Sequence, residues 1–146
     1  MDVDGTLTDG TIYISPNGEA VKAFNVKDGY GIVQLRNQGI IPVIITGRKS
    51  QIVEERAKEL KIAELYQGIH DKFTQLKEVA EKYNVDLSEI AYIGDDLNDL
   101  ECMDHCGFVG CPADAVNEVI KTSHYVCKHD GGKGAVREFI EQFVKI

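Results

Sequence analysis

Apolar positions along this chain fall into two patterns. Short, β-branched runs alternate with stretches in which apolar residues recur every three or four positions. The first pattern suits strands buried on both faces, the second amphipathic helices. Val3 ends a first strand, in Asp2-Val3-Asp4. Ile40-Ile41-Pro42-Val43-Ile44-Ile45 forms a second, Glu64-Leu65-Tyr66 a short third and Ile90-Ala91-Tyr92-Ile93 a fourth. Two further short strands are expected near Phe108-Val109 and Tyr125-Val126. A helix is predicted over Gly31–Asn37, and Ser50 caps another carrying Ile52, Val53, Ala57 and Leu60. Phe73, Leu76, Ala80 and Tyr83 mark one face of a third, and Val136, Phe139, Ile140, Phe143 and Val144 the buried side of the last. The alternation predicts an α/β fold: a Rossmann-like, mostly parallel sheet flanked by helices. The length, 146 residues, is that of one domain, 1–146.

One stretch interrupts the alternation. Thr11–Ser15, a Pro16-Asn17-Gly18 turn and Ala20–Phe24 read as a β-hairpin over 11–24, projecting from the sheet's active edge. The first strand is also irregular. A strand spans about 5–6 residues, yet only Met1 precedes Asp2, so residues upstream of Met1 are expected to complete it. Gly131-Gly132-Lys133-Gly134 reads as a flexible lead-in to the last helix.

Charge narrows the partners. The chain has 24 acidic and 16 basic residues, a net charge of −8, which argues against nucleic acid or an anionic membrane. No apolar run reaches the length of a membrane span and no signal-peptide pattern is present, so a cytoplasmic protein is expected. Cys102, Cys106, Cys111 and Cys127 form no C-x-x-C pair. Reduced, buried thiols are expected rather than zinc ligands or disulfides.

Four features carry chemistry. Asp2 and Asp4 stand two apart, so they share one face of a strand, and Gly5 lets the backbone bend after them. Thr46-Gly47-Arg48 ends the second strand, Lys72 follows Asp71 at a helix start, and Asp95-Asp96 ends the fourth strand. Ligands of open parallel sheets bind at the carboxyl ends of strands, so these residues are expected in one crevice. There Asp2 suits a nucleophile that forms an aspartyl-phosphate, and Asp4 a general acid–base. Asp2 and Asp95, with the carbonyl of Asp4, suit Mg2+, which prefers oxygen ligands. The cation reconciles an acidic protein with an anionic substrate. Thr46 and Lys72 can bind phosphate oxygens.

The ordered set D-x-D-G-T, hydrophobic-T-G-R, D-K and G-D-D-x-x-D resembles the four motifs of the haloacid dehalogenase superfamily of phosphatases, over the whole chain. The hairpin after the first motif and the lack of a large cap domain are similar to the subgroup that dephosphorylates 2-keto-3-deoxy sugar acids. Phe24-Asn25-Val26-Lys27-Asp28-Gly29 and the Gly131–Gly134 stretch look like motifs of that subgroup. The resemblance implies substrate contacts at Asp4, Asn25, Val26, Lys27, Asp28, Gly29, Thr46, Gly47, Arg48, Arg56, Lys72 and Asn98. It implies a homotetramer whose hairpins pack together, with a neighbour closing each site. Arg48 and Arg56 are suited to a substrate carboxylate. A related branch that acts on nine-carbon keto sugars looks to favour an acidic residue after T-G, so Arg48 favours the eight-carbon 3-deoxy-D-manno-octulosonate 8-phosphate. Two readings stand beside it: a nonulosonate 9-phosphate phosphatase and a non-catalytic oligomerisation module. A signalling receiver domain also gathers acids, a Thr and a Lys, but in another order along the chain. His70 and His129 are expected as surface or hydrogen-bonding histidines, Asp99 as a carboxylate holding Lys72 or metal-bound water, and Tyr13 and Phe24 as core or subunit contacts.

Overall fold

The computed structural model describes residues 1–146. Its elements are β1 (Tyr13–Ser15), β2 (Gly18–Val21), α1 (Val26–Asn37), β3 (Val43–Thr46), α2 (Gln51–Leu60), β4 (Glu64–Gln67), α3 (Lys72–Tyr83), β5 (Ala91–Ile93), α4 (Leu100–His105), β6 (Phe108–Cys111), α5 (Asn117–Thr122), β7 (Tyr125–Val126) and α6 (Ala135–Ile140). β3 pairs parallel with β4, and β5, β6 and β7 pair parallel in that order.

Residues 1 and 2 join the two halves. The Met1 ammonium donates to the Val43 carbonyl at 2.9 Å, and the Met1 carbonyl accepts from Ile45 N–H. On the other side, Asp2 N–H donates to the Ile93 carbonyl. The order across the molecule is therefore β4, β3, residues 1–2, β5, β6, β7. Residues 1–2 take the central place expected of the strand that ends at Asp2-Val3-Asp4, and the backbone turns directly after them. The N–H groups of Thr6, Leu7 and Thr8 all converge on the Val3 carbonyl.

Helices cover both faces. Val3, Ile32, Leu35, Ile44, Val53, Ala57, Val136 and Phe139 share the larger core, under α1, α2 and α6. Ile45, Leu76, Tyr92, Cys102, Met103, Val109 and Val119 share the second, under α3, α4 and α5. Val3 and Ile44 face one core and Ile45 the other, as the alternation of side chains along buried strands requires. All four cysteines are buried free thiols. No helix is long and apolar enough to cross a membrane.

Several boundaries differ from expectation. The second strand begins at Val43 instead of Ile40, for Pro42 has no N–H to place in a ladder. α1 begins at Val26, five residues early, because Asn25 caps it by accepting from Lys27 N–H. The hairpin strands are shorter than 11–15 and 20–24, and their register shifts between Tyr13 and Ile14. Gly131–Gly134 is fixed, not a loose lead-in: Gly131 N–H donates to Asp114 and Gly132 N–H to the Thr6 carbonyl.

Candidate active site

The carboxyl ends of the strands converge as the sequence predicts. Asp2 lies between β3 and β5, Thr46 ends β3, and Asp95 lies just after β5. Lys72 begins α3, whose N-terminus Asp71 caps by accepting from Thr74 N–H. The Lys72 side chain is buried, and its ammonium lies 3.0 Å from Asp2 and 2.8 Å from Asp99. Asp99 is fully buried and also accepts from the Tyr92 hydroxyl and from the N–H groups of Asp95 and Asp96. Its oxygens are thus committed to the scaffold. Asp95 accepts from the Thr6 hydroxyl at 2.8 Å.

The first loop closes around Asp95. Gly5 has φ +94°, and a Cβ there would stand 2.0 Å from an Asp95 carboxylate oxygen. Only a residue without a side chain lets the two loops approach this closely. The fixed 131–134 loop supports the first loop from behind. Glu138 anchors the segment before that loop by accepting from the N–H groups of Lys128 and His129, the His129 ring and the Tyr125 hydroxyl. His129 is accordingly a hydrogen-bonding histidine, and His70 lies exposed.

One carboxylate oxygen from each of Asp2, Asp95 and Asp99 fits within 4.8 Å. Burial raises the pKa of Asp2, and Asp99 raises it further against the pull of Lys72. Burial also drives Asp95 up to about 7, the Thr6 hydroxyl opposing and Asp2 adding to the rise. Burial works against the charge on Lys72, yet Asp2 and Asp99 outweigh it and its pKa is raised. Two crowded carboxylates with one ammonium leave negative charge uncompensated. Hard oxygen donors under that strain fit a divalent cation held by Asp2 and Asp95, with Asp99 behind them.

The other predicted residues are distributed around this centre. Asp4 is partly buried and points to the hairpin, where it accepts from Lys22. Gly47 is half-buried, and Arg48 is exposed between Thr46 and α2. Asn98 is exposed in the turn after Asp95. Asn25, Val26 and Lys27 open α1, with Val26 and Lys27 exposed. Arg56 donates to the Asn25 carbonyl and lies over the Phe24 ring, which brings α2 to the start of α1. Gly29 is buried beneath Arg56. Asp28 is buried and turns inward, where one oxygen accepts from Arg137 N–H at 2.8 Å. Sequence reasoning missed Lys22 and Glu19, which link the hairpin to Asp4 and Ser50. Three residues apart, Glu19 and Lys22 would face opposite sides of a regular strand, so alternation alone gives no hint that they meet.

Residues 57–140 match the family model of haloacid dehalogenase-like hydrolases. The chain is 46% identical over 138 residues to the 3-deoxy-D-manno-octulosonate 8-phosphate phosphatase of Escherichia coli K12, covering 94% of this chain and 73% of that protein. It superposes with a TM-score of 0.94 on the 3-deoxy-D-manno-octulosonate 8-phosphate phosphatase of Moraxella catarrhalis, solved in complex with magnesium, phosphate and KDO. That pair is 45% identical, over 97% of this chain and 82% of the other. The cobalt-bound phosphatase of Haemophilus influenzae gives a TM-score of 0.93 at 38% identity, over 97% and 82% of the two chains.

Proposed function

This chain belongs to the haloacid dehalogenase-like hydrolases and is a phosphoric monoester hydrolase, and from that premise we propose that it dephosphorylates a 2-keto-3-deoxy sugar acid. The substrate we infer is 3-deoxy-D-manno-octulosonate 8-phosphate, the compound in the name of the relatives that are 46% identical. What carries the reading is a single observation: a buried Asp2 paired with Lys72, with an Asp95 oxygen within 4.8 Å.

In this reading Asp2, Asp95 and the carbonyl of Asp4 hold Mg2+, which when bound neutralises charge on the phosphate and the carboxylates. Asp2 attacks phosphorus and the bond from phosphorus to the sugar oxygen breaks. Asp4 gives its proton to the departing oxygen. Water then attacks the aspartyl-phosphate and returns its proton to Asp4. The bond between Asp2 and phosphorus breaks, leaving inorganic phosphate. Lys72 and Thr46 bind the phosphoryl oxygens throughout, and burial of Lys72 strengthens that attraction. Arg48, Arg56, Asn98, Asn25, Val26 and Lys27 are assigned to the sugar acid and its carboxylate, whereas the inward-turned Asp28 holds this segment to α6.

The protein is proposed to be a homotetramer that assembles through the hairpin. Supporting this, Tyr13, Ile14, Val21, Val26 and Tyr30 are exposed on the hairpin and the adjoining helix, Ile14 at 76% and Val26 at 80%. A single chain gains nothing from that apolar strip, whereas an assembly buries it.

The test is phosphate release with Mg2+ across keto-sugar phosphates. Turnover of the eight-carbon acid well above the nine-carbon acids and hexose phosphates is expected. Preference for a nine-carbon acid would reassign the substrate. Equal turnover of hexose phosphates would remove Arg48 and Arg56 from substrate recognition, and no turnover at all would leave a non-catalytic module.

A further inference from the structure

We propose that Lys22, on the hairpin, is a positioning residue for Asp4. The inference rests on the phosphatase reading above, in which Asp4 is the acid–base. Three of the four central carboxylates are held by residues of the sheet ends. Asp2 has Lys72, Asp95 has Thr6, and Asp99 has Lys72, Tyr92 and two backbone N–H groups. Asp4 differs. Its one hydrogen-bond partner in the structure is the Lys22 ammonium.

Lys22 is built into place. Its side chain is 2% exposed, and its ammonium also pairs with Glu19 at 2.9 Å. The other Glu19 oxygen accepts from the Ser50 hydroxyl. Ser50 is buried and accepts from Val53 N–H, capping α2. A continuous chain of contacts therefore runs from α2 through Ser50, Glu19 and Lys22 to Asp4. A lysine meant only to balance surface charge would not lie almost wholly out of water. Fixing it costs rotamer freedom, and what it fixes in turn is the carboxylate orientation.

Orientation is what an acid–base needs, because proton transfer requires hydrogen-bond reach to the reacting oxygen. Released from Lys22, Asp4 can rotate away from the position where the leaving oxygen and the attacking water stand. The hairpin is then part of the catalytic scaffold as well as an assembly surface.

The experiment exploits leaving groups. An aryl phosphate such as p-nitrophenyl phosphate departs without help from an acid, so its first turnover needs Asp2 but not Asp4. Its steady state still needs Asp4 to deprotonate water. Lys22→Met should therefore keep the p-nitrophenol burst rate within about twofold while steady-state turnover falls at least about tenfold and KM falls with it, so that kcat/KM stays within about twofold. Lys22→Arg should recover most of the loss. Adding Lys22→Met to Asp4→Asn should cost nothing further, since both act through one group. A burst that falls together with the steady state overturns the assignment, as does additive loss in the double variant. A parent protein without turnover overturns the phosphatase reading and this inference with it. A working parent whose Lys22→Met variant keeps full turnover overturns the role of Lys22 alone.

Discussion

Asp95 and Asp2 are crowded, buried and held above the ordinary carboxylate range, Asp95 at about 7. In the unfolded chain both ionise near pH 4, at roughly the model-peptide value. The folded protein keeps these protons longer. Their contribution to stability is therefore complete below about pH 4 and is lost as pH rises through about 7. Without a divalent cation the thermal midpoint should fall between about pH 4 and 7. With Mg2+ the fall should flatten, because the cation binds the ionised pair. Scanning fluorimetry in chelator and in Mg2+ checks this; a midpoint rising with pH in chelator would contradict it. Gly5 makes a second residue-scale prediction. Gly5→Ala places a methyl 2.0 Å from the Asp95 carboxylate at a φ of +94°. Asp95 must move, so activity should fall at least about 100-fold, more than stability suffers. At this scale the sequence was informative wherever chemistry dictates residue type. Asp2, Lys72 and Asp95 could be placed together from their positions at element ends. Lys22 could not, because a lysine on a hairpin strand reads as a solvent-facing charge. Only the hairpin's return over the first loop turns it inward.

Elements were legible where the apolar period was unbroken. The faces of α2 and α3 match the expected residues: Val53, Ala57 and Leu60 on one, Leu76 and Ala80 on the other. α1 was legible only in its second half, because Gly29 and Gly31 disguise its first turns. Both glycines exist for close approach, one under Arg56 and the other against α6. The same helix carries a device that no local pattern reveals. Asp28 in α1 accepts from Arg137 N–H near the start of α6, 109 residues away. Its other oxygen is buried without a partner. Burial raises the Asp28 pKa, and the α6 N–H groups act against that rise. A carboxylate at a helix N-terminus satisfies orphan donors. Asp28→Ala removes that acceptor and leaves the N–H buried, so it should cost about 1–3 kcal/mol. Asp28→Asn retains an acceptor and should cost less. Urea unfolding of the two variants against the parent checks the order. If both cost the same, the contact between α1 and α6 is not what the oxygen contributes.

At the scale of the molecule, the sheet order could be anticipated only in outline. Periodicity reported that parallel strands alternate with helices. It did not report that residues 1 and 2 join β3 to β5, because their hydrogen bonds with Val43, Ile45 and Ile93 leave no trace in an apolar pattern. The hairpin was legible as an insertion, and in the proposed tetramer its exposed apolar residues have a second task. Ile14 and Val21 lie on the two-stranded ribbon and are 76% and 55% exposed. Fully burying such a side chain contributes about 1.5–3 kcal/mol. In a symmetric assembly that contribution would recur at each equivalent interface. The same ribbon carries Lys22 to Asp4, so the proposed assembly and the turnover would share one support. Ile14→Glu places a charge where the strip would be covered. Light scattering behind size exclusion should find the parent near four times the 16.2 kDa of one chain and the variant at a lower mass. Turnover per chain should fall in proportion to the tetramer lost, and recover as protein concentration rises. A parent that elutes as a monomer would remove the assembly from the proposal while leaving the Asp2 chemistry standing. A variant that stays tetrameric would move the interface off the hairpin.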